Sequence, residues 1–126
     1  MPTNIRVIHP QDCIRATPDG LLDHAMSMKL LDRIVEAGQT LGDYRLLLDT
    51  RQARAKLSAV DLWYLAERLA TAGAAFRHRT AVLCPVGERT NAEFFATCAA
   101  NRGLGIAAFT SFEDAIEWLI AGWADA

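Results

Sequence analysis

Arg45-Leu46-Leu47-Leu48-Asp49 sets three leucines in a row and closes them with a carboxylate. A strand with one wet face alternates apolar and polar side chains. An unbroken apolar run of this length instead suits a strand covered on both faces, as in parallel sheets built from strand-helix-strand units. The chain on either side of this run therefore has to supply helices that pack on it.

Downstream it does. Ser58 opens a helix with Asp61 three residues on. Leu62, Leu65, Ala66 and Leu69 form its apolar stripe, and Asp61, Tyr64, Arg68 and Thr71 lie opposite, up to a stop at Gly73. Thr80-Ala81-Val82-Leu83-Cys84 reads as a second short apolar strand closed by Pro85. Thr90 or Asn91 then caps a helix with the stripe Ala92, Phe95, Ala96 and Ala99, ended by Gly103. Gly105-Ile106-Ala107-Ala108-Phe109 is the last strand. Ser111, with Asp114 placed as in a capping box, starts a final helix whose inner face is Phe112, Ala115, Ile116, Leu119 and Ile120.

Upstream, Asn4-Ile5-Arg6-Val7-Ile8 alternates as a strand, His9-Pro10-Gln11-Asp12 turns, and Cys13-Ile14-Arg15-Ala16 pairs back as a hairpin. Thr17-Pro18-Asp19-Gly20 breaks that strand and opens a helix. Its stripe is Leu22, Met26, Leu30, Leu31, Ile34 and Val35, with Asp23 among its polar gaps, and Gly38 stops it. The order is β-β-α-β-α-β-α-β-α. It predicts one α/β domain over residues 1–126, with a mixed, mostly parallel sheet, right-handed crossovers and helices on both faces.

Composition agrees with a globular domain: 126 residues, 52% hydrophobic, 22% charged. The net charge of −2 gives no general attraction to nucleic acid, and no apolar run approaches the roughly 20 residues of a membrane span. The N-terminus has no basic stretch followed by an apolar block. The odd set Cys13, Cys84 and Cys98 reads as free thiols in a reducing compartment, so a cytoplasmic location is expected. His9, His24 and His78 are scattered, and no metal or cofactor is expected. A Gly-x-Ser-x-Gly elbow, a Walker loop and a Gly-x-Gly-x-x-Gly turn are all missing from the sequence, so no enzyme activity is expected.

Two stretches resemble a known family. Leu46-Leu47-Leu48-Asp49-Thr50, a short loop, then Leu57-Ser58-Ala59 at a helix start resembles the STAS domain, the sulfate transporter and anti-sigma factor antagonist family. Phe109-Thr110-Ser111-Phe112-Glu113-Asp114-Ala115-Ile116-Glu117-Trp118-Leu119 resembles the last strand and helix of its bacterial SpoIIAA-like branch, described as STAS/Sec14-like. The resemblance implies a cytoplasmic bacterial regulatory module that works through protein-protein interaction. It further implies that a Ser or Thr at the start of the helix after the third strand is phosphorylated by a partner kinase, which controls docking on an anti-sigma factor. The matching position is Ser58. Where the regulators carry Asp-Ser-Ser-Gly or similar, this chain has Leu57-Ser58-Ala59-Val60.

The residues themselves offer three sets of candidates. Ser58 is a helix cap and a candidate phospho-acceptor, with its phosphate at the positive end of the helix dipole near Arg51, Arg54 and Lys56. Arg51, Arg54, Lys56 and Arg89 follow the carboxyl ends of two central strands, where α/β sheets bind ligands, and are candidate anion-binding residues. Trp63 and Trp118 border or leave the inner stripes of their helices and are interface candidates. Asp49 is expected to bond the loop that follows it. Two functions stay open: an interaction module with a protein partner or a second copy of itself as a homodimer, and a carrier or sensor of a small anion or lipid-like ligand.

Overall fold

The computed structural model describes residues 3–8, 13–38, 45–71 and 79–124. In chain order these form β1 (Thr3–Ile8), β2 (Cys13–Pro18), β3 (Gly20–Leu22), α1 (His24–Gly38), β4 (Arg45–Asp49), β5 (Ala53–Ala55), α2 (Ala59–Thr71), β6 (Thr80–Leu83), a 3-10 turn (Val86–Glu88), α3 (Arg89–Ala100), β7 (Ile106–Phe109) and α4 (Phe112–Ala124). The turn expected over His9–Asp12 and the helix stop expected at Gly73 lie outside the described residues.

Five strands make one sheet in the order β1-β2-β4-β6-β7, antiparallel between β1 and β2 and parallel from β2 onward. The leucine run is its middle strand. Leu46 and Leu48 face one side and Leu47 the other, and both sides are covered. Each step from β2 through β4 and β6 to β7 moves one place in the same direction. Right-handed crossovers then force α1, α2 and α3 onto one face. There they bury the larger core around Ile14, Ile34, Leu46, Leu65 and Phe95. α4 follows the edge strand and folds back over the other face, where Ala115 and Leu119 meet Leu47, Ala81 and Leu83. Both faces are covered, as expected, but among the described residues three helices share one face and a single helix serves the other.

Local chemistry sets the helix ends. The first helix starts later than the sequence pattern suggests. Gly20, at φ +76°, turns the chain into β3, which pairs in parallel with β5. Asp23 then caps α1, its Oδ1 accepting the Met26 N–H at 2.9 Å. Leu22 is thus a buried strand residue, and Asp23 a cap where a gap in a helix pattern was expected. The third helix also differs. Neither Thr90 nor Asn91 caps it, because a 3-10 turn feeds α3 directly at Arg89, and its N-cap position, Glu88, makes no side-chain bond. Its C-terminal end matches expectation. Gly103 sits at φ +81° and donates to the Ala100 carbonyl at 3.0 Å, while Leu104 donates to that of Ala99 at 3.1 Å. This paired closure needs a residue free to adopt the left-handed region.

Candidate functional site

Three places carry unspent chemistry. The first is the start of α2. Ser58 and Asp61 cap the helix reciprocally: the Ser58 N–H donates to Asp61 Oδ2 at 2.9 Å, and the Asp61 N–H donates to Ser58 Oγ at 3.1 Å. The bond from the Ser58 backbone holds the Asp61 carboxyl below its ordinary range against a small opposing effect of burial, helped by the Ser58 hydroxyl and by the charge of His24. His24 Nδ1 stands 3.3 Å from Asp61 Oδ1 without hydrogen-bond alignment. Ser58 is exposed. Just beyond it, Val60, Trp63 and Tyr64 leave 62%, 42% and 51% of their surface in water. Residues 60, 63, 64 and 67 share one side of the helix by their spacing, so α2 carries a second apolar stripe that the core does not use. Trp63 meets Tyr64 edge-on at 5.1 Å, and the Arg102 guanidinium lies 4.7 Å from the Trp63 ring centre.

The second is a partly open cavity of ≈ 100 Å³ at the carboxyl ends of β4 and β6, bordered by α1, α2 and α3. Its walls are mostly Leu30, Leu31, Leu48, Leu65, Val82 and Phe95, with Ser27, Thr50, Cys84, Glu88 and Asn91 as polar members. Cys84 donates to the Phe109 carbonyl at 3.6 Å. Burial pushes its thiol up, and the Glu88 carboxylate adds to this against the opposing charge of Arg89. That environment disfavours a nucleophilic thiolate.

The third lies on the α4 side of the sheet, at the end of β4. Asp49 is buried and bonds the loop that follows, as expected: the Arg51 N–H donates to Oδ1 at 3.1 Å, Arg51 Nε to Oδ1 at 3.0 Å and Arg51 Nη2 to Oδ2 at 2.9 Å. Arg15 Nη2 reaches the same Oδ2 at 3.3 Å. Burial alone would raise the Asp49 carboxyl. The side-chain and backbone bonds from Arg51, its charge and the Arg15 bond outweigh this and hold it below its ordinary value. Phe112, the first residue of α4, lies beneath both guanidiniums, at 5.5 Å from Arg15 and 5.8 Å from Arg51.

The four cations singled out from the sequence are not brought together. Arg51 belongs to the Asp49 cluster. Arg89 pairs with Glu93 one turn along α3, at 2.7 Å. Arg54 and Lys56 are exposed, alternating along the chain with Ala55 and Leu57, which line the cavity. None of the four lines it. Trp118 is half-buried, packed on Phe109 at 5.6 Å and capped by Arg79, whose Nη1 donates to the Trp118 carbonyl at 2.8 Å. It closes the edge of the smaller core. Phe112 and Ile120, expected inside, are exposed apolar residues of α4, because the helix rests on Ala115 and Leu119. Arg15 was not a candidate. A lone arginine in a strand gives no local sign of its partner 34 residues away.

The architecture, a hairpin leading into a parallel sheet with three helices on one face and a fourth returning on the other, is a SpoIIAA-like α/β fold. The solved structure of an uncharacterized protein of the DUF3478 family from Shewanella loihica PV-4, described as having a SpoIIAA-like fold, is similar to this chain. It superposes with a TM-score of 0.59 at 19% identity, over 94% of this chain and 92% of that one. No family model matches the sequence, and no curated protein matches it. Among the described residues, no helix is long and apolar enough to cross a membrane.

Proposed function

We propose that this chain is a non-enzymatic interaction module that docks a partner protein on the outer face of α2. The observation that carries the reading is the exposed stripe Val60, Trp63 and Tyr64 beginning next to the exposed Ser58. A helix with no partner ordinarily places polar residues there. Asp61 and the exposed Glu67 flank the stripe. The partner that fits is therefore a protein surface with an apolar centre and basic side chains at its margin. Ser58 is the natural control point. A phosphate on it would add negative charge beside Asp61 at the edge of the contact and displace the capping hydroxyl.

A photo-crosslinking residue at Tyr64, with a control at exposed Glu117 on α4, tests this. The expected result is one adduct specific to position 64. The purified partner should then bind Trp63→Ala at least about 30-fold more weakly, the scale of a buried aromatic anchor. Ser58→Glu should weaken binding more than Ser58→Ala does. Equal crosslinking at both positions, or full affinity in Trp63→Ala, refutes the assignment. An adduct with a second copy of the chain identifies the partner as itself.

The cavity supports a second reading, a carrier or sensor of a small apolar molecule. Its position at the carboxyl ends of parallel strands is where α/β folds take ligands. Its walls suit a hydrocarbon group better than an anion, since Glu88 is the charged residue among them. Native mass spectrometry of the gently purified protein would reveal such an occupant.

A further inference from the structure

The cluster at the end of β4 is unbalanced in charge. Two arginines share one carboxylate. Asp49 keeps 2% of its surface in water, whereas the side chains of Arg15 and Arg51 keep 36% and 40%. The two cations differ in how firmly they are held. Arg51 binds Asp49 through both edges of the carboxylate and through its own backbone. Arg15 makes one bond at 3.3 Å, and its Nε has no acceptor. Two guanidiniums drawn to one oxygen repel each other, and a single negative charge compensates only one of them. The amino end of α4 begins here as well, at Phe112, and brings the positive end of its dipole. The exposed acids of its first turn, Glu113 and Asp114, oppose this in part.

We propose that Arg15 and Arg51 form a clamp for a phosphate group, free or carried by a small phosphomonoester, bridged between the two guanidiniums beside the start of α4. Guanidinium forks match the oxygens of phosphate. One fork nearly saturates a carboxylate, as Arg51 does Asp49. A phosphate has oxygens enough for two. Asp49 is the positioning residue that sets the angle between the forks, and the loosely held Arg15 is the one that turns onto the ligand. This site lies across the sheet from the α2 face and from the apolar cavity, so it stands or falls independently of both.

The full chain titrated with inorganic phosphate, and separately with glycerol 3-phosphate, at constant ionic strength tests the proposal, read by NMR at the arginine Nε–H groups and the Phe112 ring. The expected result is a saturable shift at Arg15, Arg51 and Phe112. Arg15→Gln should raise Kd at least tenfold while leaving the Asp49–Arg51 pair in place. Arg15→Lys, which keeps the charge and loses the fork, should also bind more weakly than the wild type, and it serves as the variant should Arg15→Gln not fold. Tighter binding of glycerol 3-phosphate assigns the site to phosphomonoesters, and equal binding assigns it to free phosphate. Shifts that never saturate, or a Kd unchanged in both folded variants, overturn the clamp.

Discussion

Ser58 and Asp61 hold each other through their own backbone N–H groups, which satisfies two of the four donors left free at the start of α2. The same bonds keep the Asp61 carboxyl ionised to lower pH than usual. Loss of the Ser58 hydroxyl removes one of the two bonds. Ser58→Ala is expected to lower stability by about 1 kcal/mol, measured as a shift of the urea midpoint with the slope unchanged. A depressed folded-state value means that the Asp61 contribution is present above the unfolded pKa and lost as pH falls through the folded one. The cost of Asp61→Ala should therefore be seen at neutral pH and fade in acid. A cost that is the same at pH 7 and pH 3 would contradict the reciprocal cap.

Asp49 and Arg51 invite a sharper comparison. Truncating the Arg51 side chain leaves a buried carboxylate with the backbone N–H of residue 51 and one long bond to Arg15, the single guanidinium left to offset its charge, whereas removing Arg15 leaves it with all three bonds from Arg51. Arg51→Ala should therefore cost about 2–3 kcal/mol and Arg15→Ala under about 1 kcal/mol, since an uncompensated buried charge is the expensive outcome and both arginines are partly in water. Equal costs would show that the two cations carry the carboxylate alike.

The pH dependence of the same group follows from its direction of shift. Asp49 is held below its unfolded value of about 3.9. Its stabilisation is whole well above that value and drains as the medium is acidified toward the folded pKa. Asp49→Asn should be less stable than the wild type at pH 7 by about 2 kcal/mol, and the gap should narrow at an acidic pH below the ordinary carboxylate range. Denaturant curves at both pH values decide it, and a gap that widens in acid reverses the sign of the argument.

What the sequence discloses here is what is local. The triple leucine names the central strand because burial on both faces leaves no room for alternation. The pair Ser58 and Asp61 names a cap because its two bonds span three residues. Gly103 names a helix end because the left-handed conformation there excludes most side chains. What it hides is long-range or short. β3 and β5 are three residues each and exist through pairing with one another, 33 residues apart, so neither carries a periodic signal. The rotation of α4 is set by which side chains fit the sheet. Ala115 and Leu119 sit down on it, Trp118 closes its edge, and Phe112 and Ile120 turn outward, which a helical wheel centred on the largest side chains does not foresee. The candidate sites divide the same way. The cap at Ser58 and the bond from Asp49 to its following loop are legible. The arrival of Arg15 at the same carboxylate is not, because only the strand order brings β2 beside β4.

Among the described residues, α4 is the helix that covers this face of the sheet, and the contact is small: Leu119 is one of five buried residues there. Leu119→Ala is expected to cost about 2–5 kcal/mol, the range for a buried leucine whose cavity cannot collapse. Because α1, α2 and α3 pack on the opposite face, hydrogen exchange should rise in α4 and β7 before it rises in the larger core. Uniform loss of protection would indicate that the two cores unfold as one unit.

Ala92 on α3 lines the apolar cavity and is only partly buried, so a larger side chain there has space to enter. Ala92→Leu should raise stability by about 0.5–1 kcal/mol if the cavity is otherwise empty in solution, because the added methyl groups gain neighbours without displacing any. If a small apolar molecule occupies the cavity in the cell, the same substitution should remove it. The wild type would then leave purification with an added mass that the variant lacks, and the wild type's excess thermal stability should vanish once it is stripped of that molecule. The two cases are separable, since filling an empty cavity raises Tm relative to any preparation of the wild type, whereas evicting a ligand lowers it relative to the loaded one. A variant that is less stable than the stripped protein would mean that the space is too narrow for a leucine and that the cavity takes no ligand of even that size.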